Sequence, residues 1–232
     1  MAISRMASSA GVLTDVTSNA TAGALTSFSF NPGTGSFVVL GVGGWRDSTA
    51  TMTFTPTIGG VTPAAVGPVV YGTDAPLGNS FFQWWVLAGV SSGAKTIAAN
   101  WASSANSQPK IRIAALAYSG VGSYSGLIQT GGSEIGTALS QTVPTALGNV
   151  VAQMFMQEPA FGGTLSGYNQ TPIINPFDTG LHGQGILGEA VAGGSSVTFT
   201  AVRGGGANYL ESAFNMVPTE SAALKSNMFL VI

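Results

Sequence analysis

The sequence predicts an all-β protein, a jelly-roll β-sandwich of about eight strands assembled from two similar half-units, with almost no helix. Three observations predict it. Apolar residues alternate with a period of two along several segments, the spacing that turns one set of side chains inward from a strand. No stretch of about ten or more residues carries the three-and-four apolar spacing and caps of a helix. The order of turns and strands in the first half also recurs in the second.

Taken in order, residues 1–20 are small and polar with scattered hydrophobes, and they predict an arm that is ordered when docked on something. In Ala24–Phe30, Phe28 and Phe30 alternate with Ser27 and Ser29; Asn31-Pro32-Gly33-Thr34-Gly35 then supplies a turn, and Ser36–Val42 reads as a buried strand, which is a hairpin pattern. Thr49–Thr57 alternates Met52 and Phe54 against threonines, and Ile58-Gly59-Gly60-Val61 turns the chain toward Ala64–Tyr71. Phe81–Val90 is too aromatic and branched to favour helix. Lys95–Trp101 alternates again, and Lys110–Tyr118 begins alternating and becomes wholly apolar at Ala114–Ala117, as a strand covered on both faces does. The one weak helix candidate is Glu220–Met228, with Thr219 as its cap.

The internal repeat organises these strands. Gly148-Asn149-Val150-Val151-Ala152-Gln153-Met154-Phe155 answers Gly35-Ser36-Phe37-Val38-Val39-Leu40, and Ala192–Ala201 answers Ser91–Ala99 as a small-residue turn followed by an alternating strand. Each half closes on an apolar strand, Lys110–Tyr118 and Tyr209–Val217. Two half-units of about four strands, each with an uncovered apolar face, are expected to close on one another. The expected divisions are an arm over 1–20, a sandwich over 21–218 and a docking tail over 219–232.

Charged residues make up 7% of the 232-residue chain, whose net charge is -2; an ordinary soluble domain carries about a quarter. So few charges offer little repulsion between copies, which points to an ordered assembly, a homo-oligomer with a trimer among the options. No cluster of Lys or Arg marks a nucleic-acid surface. No segment reads as a membrane span, and no apolar run of roughly 7–15 residues follows Arg5 as a secretory leader would. Without cysteine there is no disulfide framework or thiolate metal site, and no cofactor is expected.

The succession of a Gly-x-hydrophobic-Val strand (Gly35–Leu40), a Trp-containing strand ending in a small-residue turn (Gln83–Gly93), a Gly-x-x-Thr-Ile strand (Gly93–Ile97), a strand closing in Ala-Leu-x-Tyr-Ser-Gly-Val (Ala115–Val121), and their second versions at Gly148–Val151 and Ala192–Thr198 resembles the jelly-roll domains of tailed-bacteriophage head-fibre, decoration and minor tail proteins. The resemblance covers roughly residues 20–218. It implies a structural or attachment role on a virion, with other virion proteins as partners and no catalytic residues; with no secretory leader read in the sequence, assembly is expected in the host cytoplasm.

Chemistry-bearing residues are sparse. His182, the single histidine, sits in the Gly-rich loop Thr179–Gly185 without a Gly-x-Ser-x-Gly motif, so it reads as a loop residue. Among nine dispersed acids, Glu189 and Glu211 are the best placed for a glycosidase pair, although surface placement is the simpler reading. Gly43-Gly44 and Gly204-Gly205-Gly206 lack the setting of a phosphate loop and read as turns. The chain is therefore expected to be no enzyme. Trp45-Arg46-Asp47, at a strand end, is a candidate platform for a host surface glycan, the alternative function; a self-assembling extracellular fibre subunit is a third reading. Adjacent Trp84 and Trp85 must point to opposite faces of one strand, so one is expected at a subunit interface. Met228-Phe229-Leu230-Val231-Ile232 forms an uncharged apolar run that must be covered, and it is expected to dock on a neighbouring subunit or platform protein.

Overall fold

The computed structural model describes residues 1–46, 50–72, 79–133, 138–157, 165–174, 184–203 and 208–220, and among these every regular element is a β-strand. The first half contains β1 (Ser4–Ser9), β2 (Leu13–Asp15), β3 (Ala20–Ala24), β4 (Phe28–Phe30), β5 (Ser36–Arg46), β6 (Met52–Ile58), β7 (Ala64–Tyr71), β8 (Asn79–Val90), β9 (Lys95–Ser107) and β10 (Lys110–Ser119). The second contains β11 (Val121–Ser133), β12 (Ala138–Pro144), β13 (Val150–Gln157), β14 (Leu165–Ser166), β15 (Thr171–Ile174), β16 (Gln184–Val191), β17 (Ser196–Arg203) and β18 (Asn208–Pro218). Most of the helix candidate Glu220–Met228 and all of Met228–Ile232 lie outside the described residues.

Each half forms two antiparallel sheets with the same strand order. In the first half the large sheet runs β1-β10-β5-β8-β7, with β2 continuing β1 alongside β10; the small sheet places β9 between β6 and the pair β3 and β4. In the second half the large sheet runs β11-β18-β13-β16-β15 and the small one β12-β17-β14. The repeat seen in the sequence is thus carried by strand pairing. Gly35 and Gly148, at φ +62° and +86°, mark equivalent starts of β5 and β13, a left-handed backbone that glycine adopts without strain.

The expected eight strands in two half-units of four become a complete sandwich in each half. The reason is visible in three cores. One lies between the two sheets of the first unit, with Leu40, Phe54, Ile97, Trp101 and Ile113; a second lies between the two sheets of the second unit, with Val151, Phe155, Phe199 and Ala213. The third lies between the units, where Val39, Phe82, Trp84 and Leu116 meet Met154, Leu187, Leu210 and Phe214. Each large sheet is therefore covered on both faces. That explains why β13 is buried at every residue and β5 at all but Trp45, the continuous apolar runs expected of doubly covered strands.

The expected arm supplies β1 and β2, which zip onto β10 of the same chain from Ser4↔Ser119 to Asp15↔Lys110. Gly43 and Gly44, expected in a turn, are interior residues of β5. A Cβ on Gly43 would stand 2.6 Å from Cδ2 of Phe82, and one on Gly44 would meet the backbone of Lys110. These glycines serve the packing of an aromatic ring and a neighbouring strand.

Candidate functional site

On β8, Trp84 and Trp85 do point to opposite faces. Trp84 is fully buried between the units, where it meets Phe82 edge-on at 4.6 Å and Phe214 at 5.3 Å and donates from Nε1 to Ser212 Oγ at 2.8 Å. For Trp84 the cover is the chain's own second unit, which closes the face that a single sandwich would leave bare. Trp85 turns to the other side, packs at the margin of the first unit's core and stays half-buried.

The proposed glycan platform is not assembled as expected. Trp45 is half-buried on β5, whereas Arg46 is only 3% exposed and its guanidinium carbon lies 4.3 Å from the centroid of the Tyr71 ring. A buried cation stacked on an aromatic face organises the strand end and is closed to a sugar. Asp47 lies outside the described residues, as do His182 and Gly204–Gly206.

Glu189 and Glu211 flank β13, opposite Ala152 and Phe155 respectively, but they occupy opposite faces of the sheet. Glu189 faces the first unit, accepting a hydrogen bond from the Tyr118 hydroxyl at 2.7 Å and pairing with Arg5 at 3.6 Å. Glu211 alternates with Leu210 and Ser212, which face the first unit, so it points into the second unit's own sandwich and is 5% exposed. Two carboxylates separated by a sheet cannot flank one glycosidic bond. Instead, Arg5, Tyr118 and Glu189 join β1, β10 and β16 across the seam between the units. Burial, with the Glu189 carboxylate beside it, pushes the Tyr118 hydroxyl well above its ordinary 10.0, and Arg5 opposes this in part. The hydroxyl therefore stays protonated as a donor. Among the described residues no group of three or more His, Asp or Glu is placed to hold a metal ion.

What the structure brings together, and the sequence did not indicate, is a groove on the first unit between the exposed edges of β6 and β7. Its volume is about 410 Å³, and Met52, Phe54, Pro68, Tyr71, Gln83 and Trp85 contribute to its walls. The Tyr71 hydroxyl accepts from the Met52 amide at 2.8 Å and donates to its carbonyl at 3.3 Å, tying β7 to β6. Gln83 donates to the Gly67 carbonyl at 2.8 Å. Among the described residues none that lines the groove is charged, and the groove has the size of a small-ligand or side-chain socket. The sequence signal for it was Trp85 itself, the member of the tryptophan pair with no place between the units.

No family model, curated protein or solved structure matches the chain.

Proposed function

We propose that the protein is a structural component of a bacteriophage virion, a tandem of two jelly rolls that assembles as a homo-oligomer on the head or tail and performs no catalysis. The observation that carries this reading is the strand order found in each unit. In the second unit the large sheet sets the first strand beside the eighth, followed by the third, sixth and fifth, and the small sheet sets the seventh between the second and fourth. Apart from the fifth strand, which lies on the large sheet, this order supports a roll of two Greek keys, and the first unit repeats it with two further strands. The outward surface supports the assembly half of the reading. On the small sheets the outward residues include Thr53, Thr55, Thr96 and Asn100 in the first unit and Ser140, Thr142, Ser196 and Thr198 in the second. Hydroxyls without charge impose little repulsion when copies approach.

Sedimentation of the purified full chain at micromolar concentration tests oligomerisation: assemblies of two or more copies are expected, and a lone 23.3 kDa species overturns it. Electron imaging of phage particles labelled on this chain tests the location, with label expected on the particle surface. Label absent from intact particles overturns the virion assignment.

A further inference from the structure

We propose that the groove between β6 and β7 receives the apolar segment Met228–Ile232 of a second copy of this chain. The inference rests on the homo-oligomeric reading above and names the contact that builds the oligomer. Four observations lead to it.

The groove is open on one unit and filled on the other. The register of β5 and β8 against β13 and β16 places Trp85 and Gly188 at equivalent positions. Over Gly188 there is no space, because Gln170 Cγ stands 2.5 Å from where a Cβ would be and the Thr171 carbonyl oxygen 2.9 Å. Gln170 is 4% exposed and its amide reaches the Ile186 carbonyl at 3.4 Å. In the second unit an uncharged polypeptide segment thus occupies this place in the fold; in the first unit no described residue fills the same place, which is walled by aromatic rings.

The chemistry of the groove matches the segment. Its described walls are largely apolar and include no charged side chain, which favours an apolar occupant. The side chains of Met228-Phe229-Leu230-Val231-Ile232 are likewise uncharged, and the nearest charged side chain in the sequence is Lys225. Extended, the segment presents Met228, Leu230 and Ile232 on one side at about 6.6–6.8 Å intervals. Transfer of each such side chain from water to an apolar site is favourable.

The position from which the chain leaves places donor and socket apart. Thr219 is held at one end of the molecule: its amide donates to the Gly120 carbonyl at 2.8 Å, and the N-terminal amine of Met1 donates to the Thr219 carbonyl at 2.9 Å. At this end Tyr118 pairs with Phe37, at the start of β5. The groove lies further along, where Trp85 and Gln83 pair with Leu40 and Val42. It also opens on the small-sheet side of the first unit, whereas Thr219 follows a strand of the second unit's large sheet. A segment leaving one surface and a socket on another can pair reciprocally in a two-fold dimer or propagate head to tail into rings or chains.

The receiving edges are only partly blocked. Pro56 on β6 and Pro68 on β7 prevent continuous strand addition along either edge, which favours insertion of side chains over extension of a sheet.

The test uses the full chain in two variants. Thr53→Arg places a charge on the exposed rim of the groove; Leu230→Asp places one in the segment. Sedimentation velocity across a concentration series is expected to show association of the wild-type chain weakened at least tenfold by either change, with the thermal transition unmoved. Mixing the two variants is expected to restore one contact, between the intact segment of Thr53→Arg and the intact groove of Leu230→Asp, giving one-to-one dimers and nothing larger. Should Thr53→Arg fail to fold, Pro68→Arg on the opposite rim replaces it. If the wild-type chain associates and both variants associate equally, the groove is not the contact and this inference falls while the homo-oligomeric reading stands. If both variants are monomeric and their mixture stays monomeric, the segment does not enter a partner's groove, and the inference falls again. A wild-type chain that is monomeric throughout overturns the homo-oligomeric reading and this inference together. Protection of Trp85 fluorescence from quencher by a neutral hexose, unaffected by Leu230→Asp, would assign the groove to a saccharide and overturn the peptide occupant.

Discussion

The two units share a strand order but fill their cores differently, and the difference follows which face of the large sheet is considered. Facing the small sheet, the first unit places Leu40 and Ile113 where the second places Gln153 and Glu211, positions matched by the register of β5 with β10 and of β13 with β18. The first core is aliphatic and aromatic. The second holds a chain of amides: Gln153 Nε2 reaches Gln141 Oε1 at 3.5 Å, Gln141 donates to the Ile128 carbonyl at 3.2 Å, and Asn215 donates to the Pro144 carbonyl at 2.9 Å. Facing the other unit, both sheets are apolar, and their differences are complementary in size. Gly41 and Gly43 on β5 correspond to Met154 and Met156 on β13, and Met156 Cε lies 3.3 Å from where a Cβ on Gly43 would stand. A face buried against a fixed partner retains apolar character and shape. A face that closes only its own unit tolerates polar substitution, provided the groups find hydrogen bonds.

Four substitutions or conditions sharpen this contrast. Trp84→Ala removes the largest side chain of the shared interface and its bond to Ser212, so the unfolding free energy measured in denaturant should fall by about 3–5 kcal/mol. A loss under about 1 kcal/mol would mean that the units are held together elsewhere. Leu40→Gln brings the second unit's amide into the first unit's core, where no equivalent of the Gln141 partner is seen among neighbouring aliphatic residues; a loss of more than about 2 kcal/mol is expected in the same measurement. The reverse change, Gln153→Leu, is expected to be neutral or to add up to about 1 kcal/mol, because Gln153 Oε1 is buried without a hydrogen-bond partner. A large loss would show that the amide chain specifies the second unit's packing. The smallest effect concerns pH. Tyr118 holds its proton more tightly in the folded chain than in the unfolded one, so its contribution is constant below the unfolded value near 10 and declines as pH rises above it. The decline in transition temperature above pH 10 should be shallower in Tyr118→Phe, which has no proton to lose there.

Much of this was readable in the sequence. The alternating segments, the turns at Asn31–Gly35 and Ser91–Gly93 and the recurrence of Gly35–Leu40 at Gly148–Gln153 came from local periodicity, which reports which residues point the same way along a strand. The wholly apolar run at Ala114–Ala117 even signalled cover on both faces. The identity of the cover was out of reach of these patterns, since a period of two records that a side chain is buried and is silent about what buries it. The pattern places one of Trp84 and Trp85 against something beyond its own sheet, and only the fold shows that for Trp84 this is Phe214 of the same chain. Arg46 illustrates a second limit: next to Trp45 it looked exposed, and only the approach of Tyr71 from β7 shows it buried. Glu189 and Glu211 illustrate a third, since carboxylates on neighbouring strands become a pair or a separation according to the parity of their positions relative to the shared strand.

The sequence by itself determined that this protein is all-β, that its order of strands is repeated and that its surface is poor in charge, because these depend on local backbone preference, on the spacing of apolar side chains and on composition. The tertiary structure alone decided that each half is a closed sandwich, that the two stack through Trp84 and the methionines of β13, and that Trp85 looks into a groove. The reason is physical: sheets are stacked by matching the shapes of surfaces far apart in the chain, and shape at such a contact is a property of pairs of residues that no single segment carries.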